Sequence, residues 1–238
     1  MFEPQNQTNA QPASQDLVAE ANHRFANHLT LLAGMVQMQM NATTRGPEKF
    51  TRAEVCTILE TTAGRIVSLG NLHRRLASSP DQQVDIGNYL IENITALVGT
   101  FALGTKISIV QRLDKGCMVT PEQASTIALL VNEVMMNAVK HAHPAGLVTQ
   151  LHLACGRDND GALNIEIGDD GVGLPEGFDS RRDAGVGFKL IRSLASTLNA
   201  SLMIESDSLG LTFRLRVPLA ANDAGNVLAF QRSENGQT

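Results

Sequence analysis

The chain has 238 residues, 43% of them hydrophobic and 18% charged, which suits one sizeable globular domain plus a smaller one. A formal net charge of −5 without any cluster of Lys and Arg excludes the electrostatic footprint of a nucleic-acid binder. Apolar stretches such as Ile91 to Leu103 are too short and interrupted to cross a bilayer, and Cys56, Cys117 and Cys155 lack metal-ligand spacing, so the expectation is a cytoplasmic chain whose cysteines are small buried or half-buried residues.

Residues 1–15 are rich in Gln, Asn, Pro and Ser and read as a disordered leader. From Asp16 the apolar residues follow a heptad, with Val18, Phe25 and Leu32 on one line and Leu29 and Val36 filling the neighbouring seam. After a break at Thr43 to Pro47, where Pro47 suits the first turn of a helix, a second heptad runs through Val55, Leu59, Thr62, Ile66 and Leu69 to Leu76 and stops before Pro80. Residues 16–80 are therefore a helical hairpin. Its apolar stripe cannot be buried by one hairpin alone, so pairing of two copies into a four-helix bundle, a homodimer, is expected.

Beyond Pro80 the pattern becomes mixed. A helix is predicted near 87–99, a strand over 106–113, and a helix from Pro121 to about His143, opened by a capping box at Thr120-Pro121-Glu122-Gln123. Strands are predicted over 147–155 and 162–169, a helix from Val186 to about Leu198, and two closing strands in SLMIES and LTFRLRVP. The fold class is α+β: one mixed sheet against helices over residues 81–220, followed by a flexible tail at 221–238.

On the helix from Pro121, Asn137 lies four residues after Glu133, and Lys140 and His141 lie three and four beyond it, all on one face. An Asn amide oxygen is a hard, neutral ligand suited to Mg²⁺ that remains bound to substrate phosphates, which Lys140 and His141 can meet. Polar residues on one helical face are more often just a solvated face, so the spacing alone decides little. A second segment, Gly168-Asp169-Asp170-Gly171-Val172-Gly173, follows directly on a strand, and its glycines permit a tight turn with close backbone approach to a ligand. A carboxylate held there, Asp169 in preference to Asp170, can accept from the exocyclic amine of adenine. A third, Gly185-Val186-Gly187, opens a helix whose free N–H groups favour a phosphate.

NEVMMNAVKHA resembles the N box, DDGVGLP the first glycine box and GVGFKLI the second glycine box of the ATPase domain shared by histidine kinases, DNA gyrase and MutL. The resemblance implies ATP and Mg²⁺ as cofactors, with Asn137 at the metal and Asp169 at the adenine. Gly171, Gly173, Gly185 and Gly187 would frame a lid at 175–184 that carries Arg181 and Arg182, and Thr212 would stand near the adenine. EANHRFANHL is similar to the H box of the HWE-related histidine kinases, and GRIVSLGNLHRRL to the end of their second helix. The heptad puts His23 on the outer face of the hairpin with Glu20 and Asn27 beside it. A lone surface His is usually inert, but one on a hairpin joined to an ATP site is placed as a phosphoacceptor, and Glu20 can take its proton.

The implied activity is a two-component protein-histidine kinase with His23, Glu20, Asn27 and Glu133 as the catalytic set and a response regulator as its partner. Asn27 stands where bifunctional kinases position a water for dephosphorylating that regulator. Two alternatives share the fold. One is a histidine phosphotransfer protein with a non-catalytic ATPase-like domain, against which the retained Asn137, Asp169 and glycines argue. The other, a serine kinase acting as an anti-sigma factor, would lack the hairpin of 16–78.

Overall fold

The computed structural model describes residues 26, 29–30, 32–41, 43–44, 50–78, 83–101, 106–143, 147–179 and 185–218. Residues 32–41 are helical. Helix α1 spans Arg52–Ser78, and its start differs from the expectation at Pro47. Thr51 and Glu54 form a capping box: the Glu54 N–H donates to Thr51 Oγ1 at 3.2 Å, and Glu54 Oε2 accepts from the Thr51 N–H at 2.7 Å. Satisfying the free donors at this point sets the boundary five residues past the proline. Cys56, expected to be at least half buried, is exposed on this helix, while Cys117 and Cys155 are buried.

Leu29, Val36, Val55, Leu59 and Ile66 are all exposed, so these positions of the heptad seam read from the sequence have no cover among the described residues. The other side of residues 32–41 is used differently. Met35 is fully buried and Leu32 and Met38 pack against the main core, which ties this segment to the larger domain.

That domain opens with β1 (Val84–Asp85) and α2 (Ile86–Phe101), followed by β2 (Ile107–Leu113) and β3 (Met118–Val119). Helix α3 (Pro121–His141), β4 (Thr149–Arg157), β5 (Leu163–Asp169), α4 (Val186–Thr197), β6 (Ser201–Asp207) and β7 (Gly210–Val217) complete it. The main sheet has the order β2-β4-β5-β7-β6; β2 runs parallel to β4 and the other neighbours are antiparallel. This is the mixed sheet the sequence predicts. A small antiparallel ribbon of β1 with β3 was not expected.

Alternation along each strand separates two faces. Leu151, Leu153, Ile165, Ile167, Phe213 and Leu215 are buried against Leu90 and Ile94 of α2, Ile127, Leu130 and Val134 of α3, and Leu190 and Leu194 of α4. The opposite face carries His152, Glu166, Arg214 and Glu205, where Arg214 Nε donates to Glu166 Oε2 at 2.7 Å and the same guanidinium reaches Glu205. The fold is thus an α/β sandwich covered by helices on one side.

Helix α3 lies at the centre of the covered layer. Thr120 caps it as predicted: the Gln123 N–H donates to Thr120 Oγ1 at 3.3 Å and the Thr120 N–H to Gln123 Oε1 at 3.1 Å, with Pro121 at the first helical position. Asn132 accepts from the Asn93 amide of α2 at 2.7 Å, a buried polar tie that fixes the rotation of α3 and hence the direction of the face bearing Asn137.

Candidate nucleotide-binding site

The carboxylate of Glu133 is buried, and Asn137 stands one turn later at the edge of the core. The amide nitrogen Nδ2 of Asn137 is buried without a hydrogen-bond partner. The same is true of Asn132 Nδ2 in the core, so it is the position of Asn137 at the edge of the core, under the start of α4, that sets it apart. The start of α4 lies over the same face. A methyl group added at Gly187 would sit 3.2 Å from Asn137 Oδ1 and 3.5 Å from Glu133 Oε2. Gly187 therefore leaves open the space in front of both polar groups, whereas Gly185, the residue before α4, has open space around it.

An aromatic row holds α4 in this position. The Phe188 ring lies 5.6 Å from Phe213 on the sheet and 5.6 Å from Phe178 in the loop after β5. The first turn of α4, where a helix leaves N–H groups without intrahelical partners, thus lies against the Asn137 face at Gly187. Residues 180–184, with Arg181 and Arg182, lie outside the described residues.

Asp169 ends β5 on the covered face, opposite Leu151 on one side and Leu211 on the other. It is only 6% exposed, and burial pushes its carboxyl above the ordinary value; the Gly171 N–H, donating to Oδ1 at 3.0 Å, acts in the opposite direction. The turn that follows is tightly fitted. A Cβ at Gly171 would lie 2.4 Å from Ala142 Cα, and the Val172 N–H donates to the Ala142 carbonyl at 2.9 Å. Gly173 has φ of +67° and a Cβ there would lie 2.2 Å from the Asp207 carbonyl, so both conformation and space require glycine. Leu174 N–H donates to Ser206 Oγ at 2.7 Å, pinning the far end of the turn to β6.

Asp170 points the other way. Partial burial would raise its carboxyl, but the Gln150 N–H at 2.8 Å and His143 Nε2 at 3.0 Å outweigh that and hold it below the ordinary range. Sequence reasoning missed His143 and Gln150, because their partner lies far along the chain.

The remaining expected residues divide. Lys140 reaches back to Thr61 Oγ1 of α1, which joins the end of α3 to the hairpin. His141, the last residue of α3, is held below the ordinary imidazole value, first by desolvation and then by the charge of Lys140, so its neutral form is favoured. Thr212 departs from the expectation that it stands by the adenine. It pairs with Gly168, one residue from Asp169, so its side chain falls on the opposite sheet face, where its Oγ1 lies 3.5 Å from His152 Nε2; Leu211 takes the place beside Asp169. His23, Glu20 and Asn27 lie outside the described residues.

Both glycine segments thus pack on helix α3, Gly187 against Asn137 and Gly171 against Ala142. Residues 122–221 match the family of histidine kinase-, DNA gyrase B- and HSP90-like ATPases, and residues 20–101 match a histidine kinase family. The chain carries the two domains of a histidine kinase. It is 26% identical over 205 residues to the sensor histidine kinase PdtaS of Mycobacterium tuberculosis (strain CDC 1551 / Oshkosh), a match covering 85% of this chain and 39% of the relative. It is 25% identical over 210 residues to blue-light-activated histidine kinase 2 of Erythrobacter litoralis, covering 85% of this chain and 57% of the relative. The chain thus spans well under two thirds of the curated relatives it matches. The histidine kinase domain of the Erythrobacter litoralis EL346 blue-light-activated kinase superimposes with a TM-score of 0.59 at 21% identity, over 79% of this chain and 96% of that one, which shows a shared fold.

Proposed function

We propose that the chain is an ATP-dependent protein-histidine kinase of a two-component system that phosphorylates itself on His23 and passes the phosphoryl group to an aspartate of a response regulator. The observation that carries this reading is the meeting of Gly187 with Asn137 and Glu133 of helix α3, whose end at Ala142 packs against the glycine turn that follows the buried Asp169. Gly171 and Gly173 are required by the fold itself, but Gly187 lies against the Asn137 amide and the Glu133 carboxylate, a placement that a docking-only domain has no need of.

The residues present fit Mg²⁺. Asn137 offers one hard oxygen through Oδ1, and no cluster of three or more His, Cys, Asp or Glu exists among the described residues, consistent with an ion held mainly by substrate phosphates. When bound, the ion neutralises charge on the transferring phosphoryl group. Asp169 accepts from the adenine amine, and the first turn of α4 faces the phosphates. A ring nitrogen of His23 attacks the γ-phosphorus; the N–P bond forms, the bond to the ADP oxygen breaks, and the N–H proton passes to a carboxylate, Glu20 beside it or the buried Glu133. Asn27 positions water for dephosphorylation of the regulator.

The uncovered seam of Leu29, Val36, Val55, Leu59 and Ile66 supports a homodimer through residues 16–80. No helix among the described residues is long and apolar enough to cross a membrane. Incubation with γ-labelled ATP and Mg²⁺ tests the reading. Acid-labile label in the wild type and none in His23→Ala or Asn137→Ala is expected; failure of the wild type to bind ATP would turn the assignment toward a phosphotransfer protein.

A further inference from the structure

Helix α3 reaches the first glycine turn through two consecutive residues. Ala142, which caps the helix, accepts the Val172 N–H and leaves no room for a side chain at Gly171. His143, the next residue, aims Nε2 at Asp170 Oδ1 at a distance of 3.0 Å, with its side chain only 14% exposed. The same Oδ1 accepts the Gln150 N–H at 2.8 Å, and the Asp170 N–H donates to the Gln150 carbonyl at 3.2 Å. Asp170 is therefore held from the β4 side by Gln150 and from the α3 side by His143. It lies between Asp169, which would read the base, and Gly171, whose N–H fixes the Asp169 carboxylate.

We propose that His143 is a positioning residue for nucleotide binding: by donating to Asp170 it locks the Asp169–Gly171 turn to the C-terminal end of the helix that carries Asn137. This rests on the reading of Asp169 as the adenine acceptor. The physical reason is preorganisation. Base and phosphates are gripped by segments far apart in sequence, and affinity depends on holding those segments in one geometry before the ligand arrives. Because the acceptor is a carboxylate, Nε2 acts as the donor whether the imidazole is neutral in the Nε2–H tautomer or charged, and the bond is charge-assisted. Removing it loosens the Asp170 position while Gln150 and the Val172–Ala142 bond retain the rest of the turn, so the domain stays folded and the turn samples orientations in which Asp169 meets the base less well.

Calorimetric titration with ADP and Mg²⁺ tests this on the full chain, using wild type, His143→Leu, His143→Gln, Asp170→Ala and the double variant His143→Leu/Asp170→Ala. Leu keeps the bulk and removes the donor; Gln restores a donor of comparable reach. His143→Leu is expected to bind ADP about tenfold more weakly, the equivalent of one charge-assisted hydrogen bond. His143→Gln recovers most of the loss, and the double variant is no weaker than Asp170→Ala alone. Wild-type affinity in His143→Leu, lack of rescue by Gln, or additive losses in the double variant would each overturn the proposal. Should His143→Leu fail to fold, unchanged ADP affinity in Asp170→Ala would do the same. Absence of ADP binding by the wild type would instead overturn the nucleotide reading itself.

Discussion

Replacing Asp169 by Asn should move stability and binding in opposite directions. The side chain is buried, and desolvation pushes its carboxyl up more than the Gly171 N–H it accepts lowers it. An Asn Oδ1 keeps that hydrogen bond without the charge. The apo domain should gain about 1 kcal/mol at neutral pH, the lower end of the penalty for burying an imperfectly compensated polar group. For a chain of this size that corresponds to a thermal midpoint higher by about 2–4 °C. The pH dependence has a definite sign. An acid whose folded pKa is raised contributes stability that is complete below its unfolded pKa, about 3.9, and is lost as pH rises through the folded value. The difference between variant and wild type should therefore shrink as pH falls and vanish well below about 3.9, where the carboxyl is neutral in both the folded and the unfolded state. ADP affinity should fall by at least about tenfold, because an amide presents a weaker acceptor to the adenine amine. Thermal unfolding at a series of pH values, paired with ADP titration, measures both. A variant less stable than wild type at neutral pH, or one that binds ADP unchanged, would refute the reasoning.

Gly171→Ala forces a Cβ into contact with Ala142; it should destabilise the domain by about 1–3 kcal/mol in denaturant unfolding, the usual range for overpacking. At the second glycine box the two glycines should differ. Gly187→Ala crowds Asn137 and should weaken ATP binding in Mg²⁺ markedly more than Gly185→Ala, whose added methyl group meets open space; equal losses in a titration would count against the placement of α4. In the hairpin, Leu59, 63% exposed in one chain, lies on the uncovered seam, so Leu59→Glu should convert a dimer to monomers in light scattering coupled to size exclusion, with the ATPase domain still folded.

Local signals carried much of this fold. The capping box at Thr120 is written in four consecutive residues, and α3 begins where it predicts. The glycine turn was legible because a run of Gly and Asp directly after an alternating strand has few other uses. What escaped depends on partners distant in sequence. Strand β4 begins two residues later than its apolar run suggests, since Leu147 and Val148 are exposed and pairing starts where Thr149 meets Ile107. The facing of Thr212 is a different case: Leu211, Phe213, Leu215 and Val217 alternate along β7 with Thr212, Arg214 and Arg216, so the local period already puts Thr212 on the polar face, and the resemblance passed over it. His143 reads only as the end of a helix, and its pairing goes unseen because the partner is 27 positions away. Thr51 was overlooked as a helix start because Pro47 is the stronger local mark, although the capping box supplies the bonds that decide it.

The most direct test of the account is the site of the phosphoryl group. Mapping by mass spectrometry at neutral pH, after incubation of the full chain with ATP and Mg²⁺, should find phosphate on the imidazole of His23, and none after Asn137→Ala. Phosphate on any other residue of the wild type, or on His23 at wild-type levels in the Asn137 variant, would contradict it.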